Sequence, residues 1–478
     1  MIQLFRNICR RSAAKPDASH RQDLLSRRRC APMLLQILLL VVFSIMMAGS
    51  GAVGARDVYY YGEDAMNARI PAITGSFIQP WLCQGWSDEQ WDRHLDMLLS
   101  AGIHTVIMQW TAETPDGEFS YAGFPVPAGL PQSAGLKTDE KMVERLLKSA
   151  EKKNVKVFLG LNTADEWWNQ AFLKKDWRKK QAEAGNAVAK ILYDAYKSRY
   201  PNAFYGWYWV WEMYGNTLGF GRGWVELMNA NLDYLTALDD SLPVLFSPFM
   251  SGYMRLTPRQ EEAMWTGFFA RARLRPGDIF CPQDSVGAVG FTMNYVDKRL
   301  QAMKKAADTK PGLVFWVNNE TFTKNGNDFH PAPLDRFVSQ LYVSHRYTDT
   351  HVSFAYSHYY DPEHANPSFD RSYKAFLHTG QVDRTPPAAP ALAADVAADR
   401  RSVSLTVTPA DPADCWKITI YRGNKVIDTY EATQPLPGLR SHRVTDRLER
   451  GGVIEYSATV TDCWGNVSER ATVACSNK

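Results

Sequence analysis

A chain of 478 residues with a formal net charge of +3 has room for two or three domains and carries no strong overall charge. Much of its cationic excess lies before residue 30 (Arg6, Arg10, Arg11, Lys15, Arg21, Arg27, Arg28, Arg29), so the remainder is near neutral and a nucleic-acid partner is not indicated. The apolar and charged fractions, 45% and 22%, are those of an ordinary globular protein, and thirteen of the 15 tryptophans fall between Trp81 and Trp316.

The basic front is followed by an apolar run from Met33 to Ala48, then by the small residues Gly49 to Ala55. A positive flank, a short apolar stretch and small residues predict an export signal over 1–55, with cleavage after Ala55 or retention as a membrane anchor. The run is shorter than the roughly 20 residues a membrane span needs. Either way the rest of the chain is expected outside the cytoplasm, periplasmic or secreted.

From residue 73 onward short apolar runs alternate with amphipathic stretches. The runs 73–79, 104–110, 156–162, 204–212, 243–250, 278–287, 313–322 and 351–360 read as eight strands buried on both faces. The intervening segments read as helices. Ser87 with Gln90, and Thr257 with Gln260, form capping boxes, and Asn366-Pro367 opens the last helix. Eight such alternations predict an α/β fold of the (β/α)8 TIM-barrel type over 56–383. No Gly-x-Gly-x-x-Gly follows an early strand, so a dinucleotide cofactor is not indicated.

Thr385-Pro386-Pro387 marks a proline-rich linker, 384–390. Beyond it come only short alternating runs: 403–408, 416–422, 425–430, 442–445, 454–461 and 469–473. These predict a small immunoglobulin-like or fibronectin-III-like β-sandwich over 391–478. Cys83, Cys281, Cys415, Cys463 and Cys475 lie beyond the signal, an odd number in a compartment that permits disulfides. Their places on the expected strands pair Cys415 with Cys463. No spacing matches a metal site, and no cofactor is called for.

Barrels of this kind work at the C-terminal ends of their strands. Those ends supply Gln79-Pro80-Trp81, Gln109-Trp110, Asn162, Trp211-Glu212, Asp284, Asn319-Glu320 and Tyr356-Ser357-His358. Amides, carboxylates and flat aromatics suit a carbohydrate, whose hydroxyls need polar partners and whose ring faces need apolar platforms. The sharpest pair is Glu212 and Glu320, because glycoside hydrolysis uses two carboxyl groups, one protonated and one ionised. Asp284 is a third carboxylate that could replace either. Gln79, Trp81, Gln109, Trp110, Asn162, Trp211, Asn319, Tyr356 and His358 are the expected substrate contacts, although each could equally tie loops or fill core. Glu113, Asp165 and Glu166 read as solvated loop carboxylates.

Glutamates ending strands 4 and 7 resemble the large clan of retaining barrel glycosidases. That resemblance implies Glu212 as acid/base and Glu320 as nucleophile. The clan usually has Asn before the strand-4 glutamate; here Trp211 stands there, and Asn-Glu occurs instead at Asn319-Glu320. The segments Ile73-Thr-Gly-Ser-Phe-Ile-Gln79, Val106-Ile-Met-Gln-Trp110 and Tyr205-Gly-Trp-Tyr-Trp-Val-Trp-Glu212, with the strand-7 run, also resemble the bacterial domain-of-unknown-function family 4434, a glycosidase-like barrel family. The resemblance covers roughly residues 70–380. Two functions follow as expectations: an exported glycoside hydrolase, or a carbohydrate-binding protein of polysaccharide export or assembly on the same scaffold.

Overall fold

The structure, a computed structural model, describes residues 69–169, 171–213, 221–250, 256–432, 441–448 and 453–476. The expected export signal lies outside the described residues. Among those described, no helix is long and apolar enough to cross a membrane.

The barrel strands are β1 (Ile73–Ile78), β2 (Thr105–Met108), β3 (Lys156–Gly160), β4 (Phe204–Trp209), β5 (Val244–Phe246), β6 (Ile279–Phe280), β7 (Val314–Phe315 continued by Val317–Glu320) and β8 (His351–Phe354). All pair in parallel. The first half of β7 pairs with β6 and the second half with β8, so the ring of eight closes through Trp316. The long helices that follow the strands in turn are α1 (Asp88–Ser100), α2 (Met142–Lys153), α3 (Lys175–Leu192), α4 (Gly221–Leu238), α5 (Pro258–Phe269), α6 (Met293–Ala307), α7 (Leu334–His345) and α8 (Pro367–Thr379). Both capping boxes form as the sequence predicts, at Ser87/Gln90 and Thr257/Gln260. Asn366 caps α8 by accepting from the Ser368 N–H.

Strand side chains alternate between the two faces of a sheet. In β4, Trp209 bonds Asn231 of α4, so it points outward; Tyr208 meets Phe77 of β1 edge-on at 5.1 Å, so it points inward. Phe354 of β8 joins Phe77 at 5.5 Å, and Phe158 of β3 meets Trp316 at 6.0 Å. The interior below the mouth is therefore plugged with aromatic rings.

Several expected strands are shorter than predicted. Ladder bonds continue from β6 as far as the Asp284 N–H, and the chain then turns at Ser285 (φ 55°) into a short helix, Val286–Val289. The Asp284 carboxylate, accepting from the Val286 N–H at 3.1 Å, folds the backbone there. Likewise 351–360 stops as a strand at Phe354 and winds into the turn Tyr356–Tyr359. The loops add elements with little periodicity to announce them: a small sheet from Ala112–Glu113, Phe119–Ala122, Gln132–Thr138 and Asn162–Thr163, and a hairpin pairing Phe322–Asn325 with Asp328–Pro331.

The C-terminal unit is a β-sandwich. Its strands are β9 (Ala391–Val396), β10 (Ser402–Thr408), β11 (Lys417–Arg422), β12 (Lys425–Glu431), β13 (His442–Arg447), β14 (Val453–Thr461) and β15 (Ala471–Ser476). One antiparallel sheet runs β9-β10-β13 and the other β12-β11-β14-β15. Their inward residues, among them Val403, Leu405, Val407, Ile418, Ile420, Tyr456 and Val460, form one apolar core. The alanine-rich, mostly exposed β9 carries too weak an alternation to be read from sequence.

The sandwich docks on α8. Trp416 meets Phe369 edge-on at 5.3 Å, the Asn366 amide donates to the Cys415 carbonyl, and the Leu334 N–H donates to the Cys463 carbonyl at 2.9 Å. This docking corrects the expected disulfide: Cys415 and Cys463 are both free thiols. Cys415 belongs to the sandwich core, whereas the Cys463 thiol turns out toward α8, 3.3 Å from the Ser372 hydroxyl. Residues opposite in sequence pattern thus face different neighbours. Protein denatured without reductant should take up iodoacetamide at both positions, read by peptide mass mapping; a Cys415–Cys463 cross-linked peptide would contradict the structure.

Candidate active site

Pleating carries the inward register of β1, β4 and β7 onto Gln79, Glu212 and Glu320 at the mouth. Glu212 shares the parity of Tyr208. Glu320 shares that of Asn318, whose amide reaches the Ser247 hydroxyl, while Asn319 between them faces Ser344 of α7. A belt of amides links the strand ends. The Trp81 indole donates to the Gln79 carbonyl oxygen Oε1 (3.0 Å), Gln79 donates to Gln109 (2.5 Å), and Gln109 donates to Glu212 Oε1 (3.2 Å). Gln283 also bonds the Glu212 carboxyl, and its amide donates to the Ser247 carbonyl.

Glu320 is held differently. Its Oε2 accepts from the Ala288 N–H at 2.7 Å and from the Gly287 N–H, both in the turn after Ser285. Only glycine fits at 287: a Cβ there would lie 2.0 Å from the Phe322 carbonyl oxygen and 3.1 Å from Glu320 Oε2. The second oxygen of each carboxyl, Glu212 Oε2 and Glu320 Oε1, is buried with no protein partner. A buried acceptor left unmade is costly, so each is placed for a proton or a ligand.

Burial raises both pKa values, because the ionised form loses its water. Glu212 is pushed up to about 7, its amide donors offsetting part of the effect. Glu320 is pushed up to about 8 by burial and by the negative charge of Asp284, against the pull of the two backbone donors and Arg336. Near neutral pH the pair can therefore hold one carboxyl and one carboxylate. Among the described residues no group of three or more His, Cys, Asp or Glu side chains could hold a metal ion.

The family profile described as Domain of unknown function (DUF4434) matches residues 73–366, more than half of the chain. The chain belongs to the DUF4434 family. No curated protein matches it. A solved structure from Bacteroides thetaiotaomicron, provisionally described as an alpha-L-fucosidase, superposes with a TM-score of 0.53 and 21% identity, covering 65% of this chain and 96% of that one. The likeness shows a shared barrel fold. The endo-beta-1,4-mannanase of Thermotoga petrophila (TM-score 0.41, 12% identity, 85% of this chain and 98% of that) is a looser match that adds nothing to the assignment.

Within this DUF4434 barrel the predicted contacts divide. Gln79, Trp81 and Gln109 join Glu212 in the belt; Trp110, next to Gln109 in the chain and of the opposite parity, is 9% exposed. His358 Nε2 accepts from the Gln79 N–H and its ring lies 4.9 Å from Trp81; burial pushes its pKa down to about 3, so it is neutral. Five residues are corrected. Asp284 is enclosed behind the mouth, where Asn319 and Gln340 donate to one oxygen and the Val286 and Glu320 N–H groups to the other; with no free lone pair directed inward it is a brace. Asn319 has the outward parity already noted. Asn162 is tied to Thr114 and Gln181 against α3. Trp211, of outward parity, packs 5.3 Å from Trp167 and 5.2 Å from Trp177. Tyr356 donates to Asp370 of α8 at 2.6 Å.

Three features escaped the sequence. Tyr359, next to His358, is buried facing Glu320, and burial together with that charge raises its pKa. Asp361, His94 and Ser357 line up in hydrogen bonds of 2.9 and 3.1 Å, fully buried; they lock the Tyr356–Tyr359 turn. Trp168, 37% exposed, stands 6.5 Å from Phe249, whose N–H bonds the carbonyl of Met213, the residue after Glu212. Strand parity finds none of these, since His94 lies on α1 and the others lie beyond the strand ends.

A carboxyl raised in the folded state holds a proton that the unfolded chain has released. The unfolded form therefore binds fewer protons between the ordinary carboxyl range and about 8, and stability falls as pH rises through that window. Glu320→Gln, which cannot ionise, should have a melting temperature near wild type at pH 5 and several degrees above it at pH 9. Scanning calorimetry across that range checks the sign; a Glu320→Gln protein less stable at pH 9 refutes it.

Proposed function

We propose that this chain is an exported glycoside hydrolase that cleaves a polysaccharide or oligosaccharide with retention, using Glu212 and Glu320. The observation that carries the reading is the pair itself: two buried glutamates of inward parity at one mouth, both raised in pKa, each with an oxygen lacking a protein partner. Raised carboxyls gathered in this way mark functional sites.

In the proposed reaction the Glu212 carboxyl gives its proton to the glycosidic oxygen as the bond to the anomeric carbon breaks. The Glu320 carboxylate attacks that carbon and forms a glycosyl ester. Glu212, now ionised, takes a proton from water, and the water oxygen releases the sugar and frees Glu320. The backbone donors of Gly287 and Ala288 favour the ionised form of Glu320, but burial and Asp284 outweigh them and hold its pKa above that of Glu212, so the reacting form, Glu320 ionised and Glu212 protonated, is the minority one of the two singly protonated states. Trp168 beside Phe249 offers a platform for a sugar ring farther along the chain. On the same loops a depression of about 550 Å³, lined by Asp116, Glu166, Asn169, Lys174, Asp176 and Lys180, offers polar partners for hydroxyls. The basic and apolar leader supports delivery to the periplasm or beyond, and the sandwich, of fibronectin-III-like pattern, accompanies the barrel there.

A panel of neutral and acidic glycans tests the reading. Wild type should cleave at least one, and Glu212→Gln and Glu320→Gln should each lower kcat on the order of 10²–10⁴-fold. With an aryl glycoside whose leaving group needs no proton, Glu212→Gln should keep its first step and Glu320→Gln should not. Equal cleavage by all three proteins would remove the site; glycan binding without turnover would favour the binding protein.

The pH profile follows from the same pair. On the acid side activity is lost as the nucleophile gains a proton, and on the alkaline side as the acid loses one, so the optimum should lie between about 7 and about 8. A flat profile from pH 5 to 9 would contradict it. Trp168→Ala should raise KM several-fold for long glycans and leave it unchanged for short aryl glycosides.

A further inference from the structure

The hairpin Phe322–Asn325/Asp328–Pro331 leaves the barrel one residue after Glu320, and its far strand is seized by the sandwich. His330 Nδ1 lies 2.6 Å from Glu431 Oε2 at the end of β12, and Lys417 Nζ on the neighbouring β11 lies 3.6 Å from the other Glu431 oxygen. The close Glu431 carboxylate raises the pKa of His330. Burial would raise that of Glu431, but His330 and Lys417 together hold it below the usual range. Asp328 on the same hairpin adds a second negative charge near His330. The ion pair is 28% and 14% exposed, so solvent screens it only in part.

The near strand of the hairpin bears on the mouth. In the hairpin register His330 is paired with Thr323, next to Phe322. The Phe322 ring packs 5.6 Å from Tyr359, the buried tyrosine that faces Glu320, and 6.1 Å from Phe354. Its carbonyl accepts from Arg336 at 2.6 Å and closes over Gly287, whose N–H holds the Glu320 carboxyl. At the hairpin base the Ala332 N–H donates to Thr321, and the Tyr360 hydroxyl donates to Ala332. Movement of the far strand would therefore be passed to both neighbours of the Glu320 side chain.

We propose that the sandwich is a positioning element of the mouth, with Glu431 clamping the strand-7 hairpin through His330 and so fixing the Glu320 carboxyl. The proposal rests on the reading of Glu320 as a reacting group, and it makes Glu431 a positioning residue that acts through the hairpin. The docking contacts Trp416–Phe369, Asn366–Cys415 and Leu334–Cys463 do not use the Glu431 carboxyl, although Lys417 links it to the Trp416 ring, so loss of the clamp need not detach the sandwich.

The test uses the full chain with Glu431→Gln and His330→Gln, singly and together, and Glu431→Asp as the charge-keeping control. Cutting the clamp should speed amide exchange across 322–331 about tenfold while barrel-strand amides stay slow. The double variant should be no worse than either single one, as expected for two halves of one contact. A loosened hairpin admits water to Glu320, so the pH 9 stability gap between Glu320→Gln and its parent should shrink when both carry Glu431→Gln. On a glycan that wild type cleaves, kcat should fall about fivefold with KM little changed, and Glu431→Asp should recover part of it. Hairpin exchange and an alkaline gap both equal to wild type would overturn the proposal. If wild type cleaves nothing, the hydrolase reading falls, and exchange and the stability gap still decide the clamp.

Discussion

A carboxylate can be kept inside a protein only if something answers its charge, and this barrel encloses two of them at one mouth. The closed ring forces the arrangement. Only alternate residues of each strand reach the interior, and the inward series of β4 and β7 ends in Glu212 and Glu320. Aromatic rings from β1, β3, β4, β7 and β8 fill the space below, so the acids lie on an apolar floor with little water to shield them. Their raised pKa values are a consequence of that burial.

The two acids are supported in unequal ways. Glu212 hangs from side-chain amides that are themselves joined in a belt, and such donors can swing. Glu320 takes its donors from the backbone of a turn that Asp284 folds, with Asp284 braced in turn by Asn319 and Gln340. Removing Asp284 would thus disturb Glu320 twice, through the lost charge and through the lost turn. A group behind the reacting face can matter as much as one on it.

The sequence makes the ring and the ends of its strands plain, because strands buried on both faces and capped amphipathic helices leave periodic traces. The same periodicity picks out Glu212 and Glu320 as strand-end carboxylates. It does not say which of two adjacent residues at a strand end faces inward, a choice fixed by how the strands pair around the ring. Asn319, Trp211 and Tyr356 are therefore expected at the mouth and found behind it, against α7, α3 and α8. Asn162 follows the same pattern. Loop residues such as Trp168 and Tyr359 belong to no repeat at all, and their places are set by long-range packing. The expected Cys415–Cys463 bridge fails for a related reason: strand pattern gives the order of the sandwich strands but not the docking that turns Cys463 toward α8.

Gly287 has a bearing on how this scaffold could be altered. The Phe322 carbonyl occupies the space where any side chain at 287 would begin, so the position admits no substitution without moving the loop that carries it. A saturation library at this one codon should return glycine alone among variants that keep the wild-type loop. Engineers wishing to reshape the pocket would leave it fixed and diversify the neighbouring rim instead.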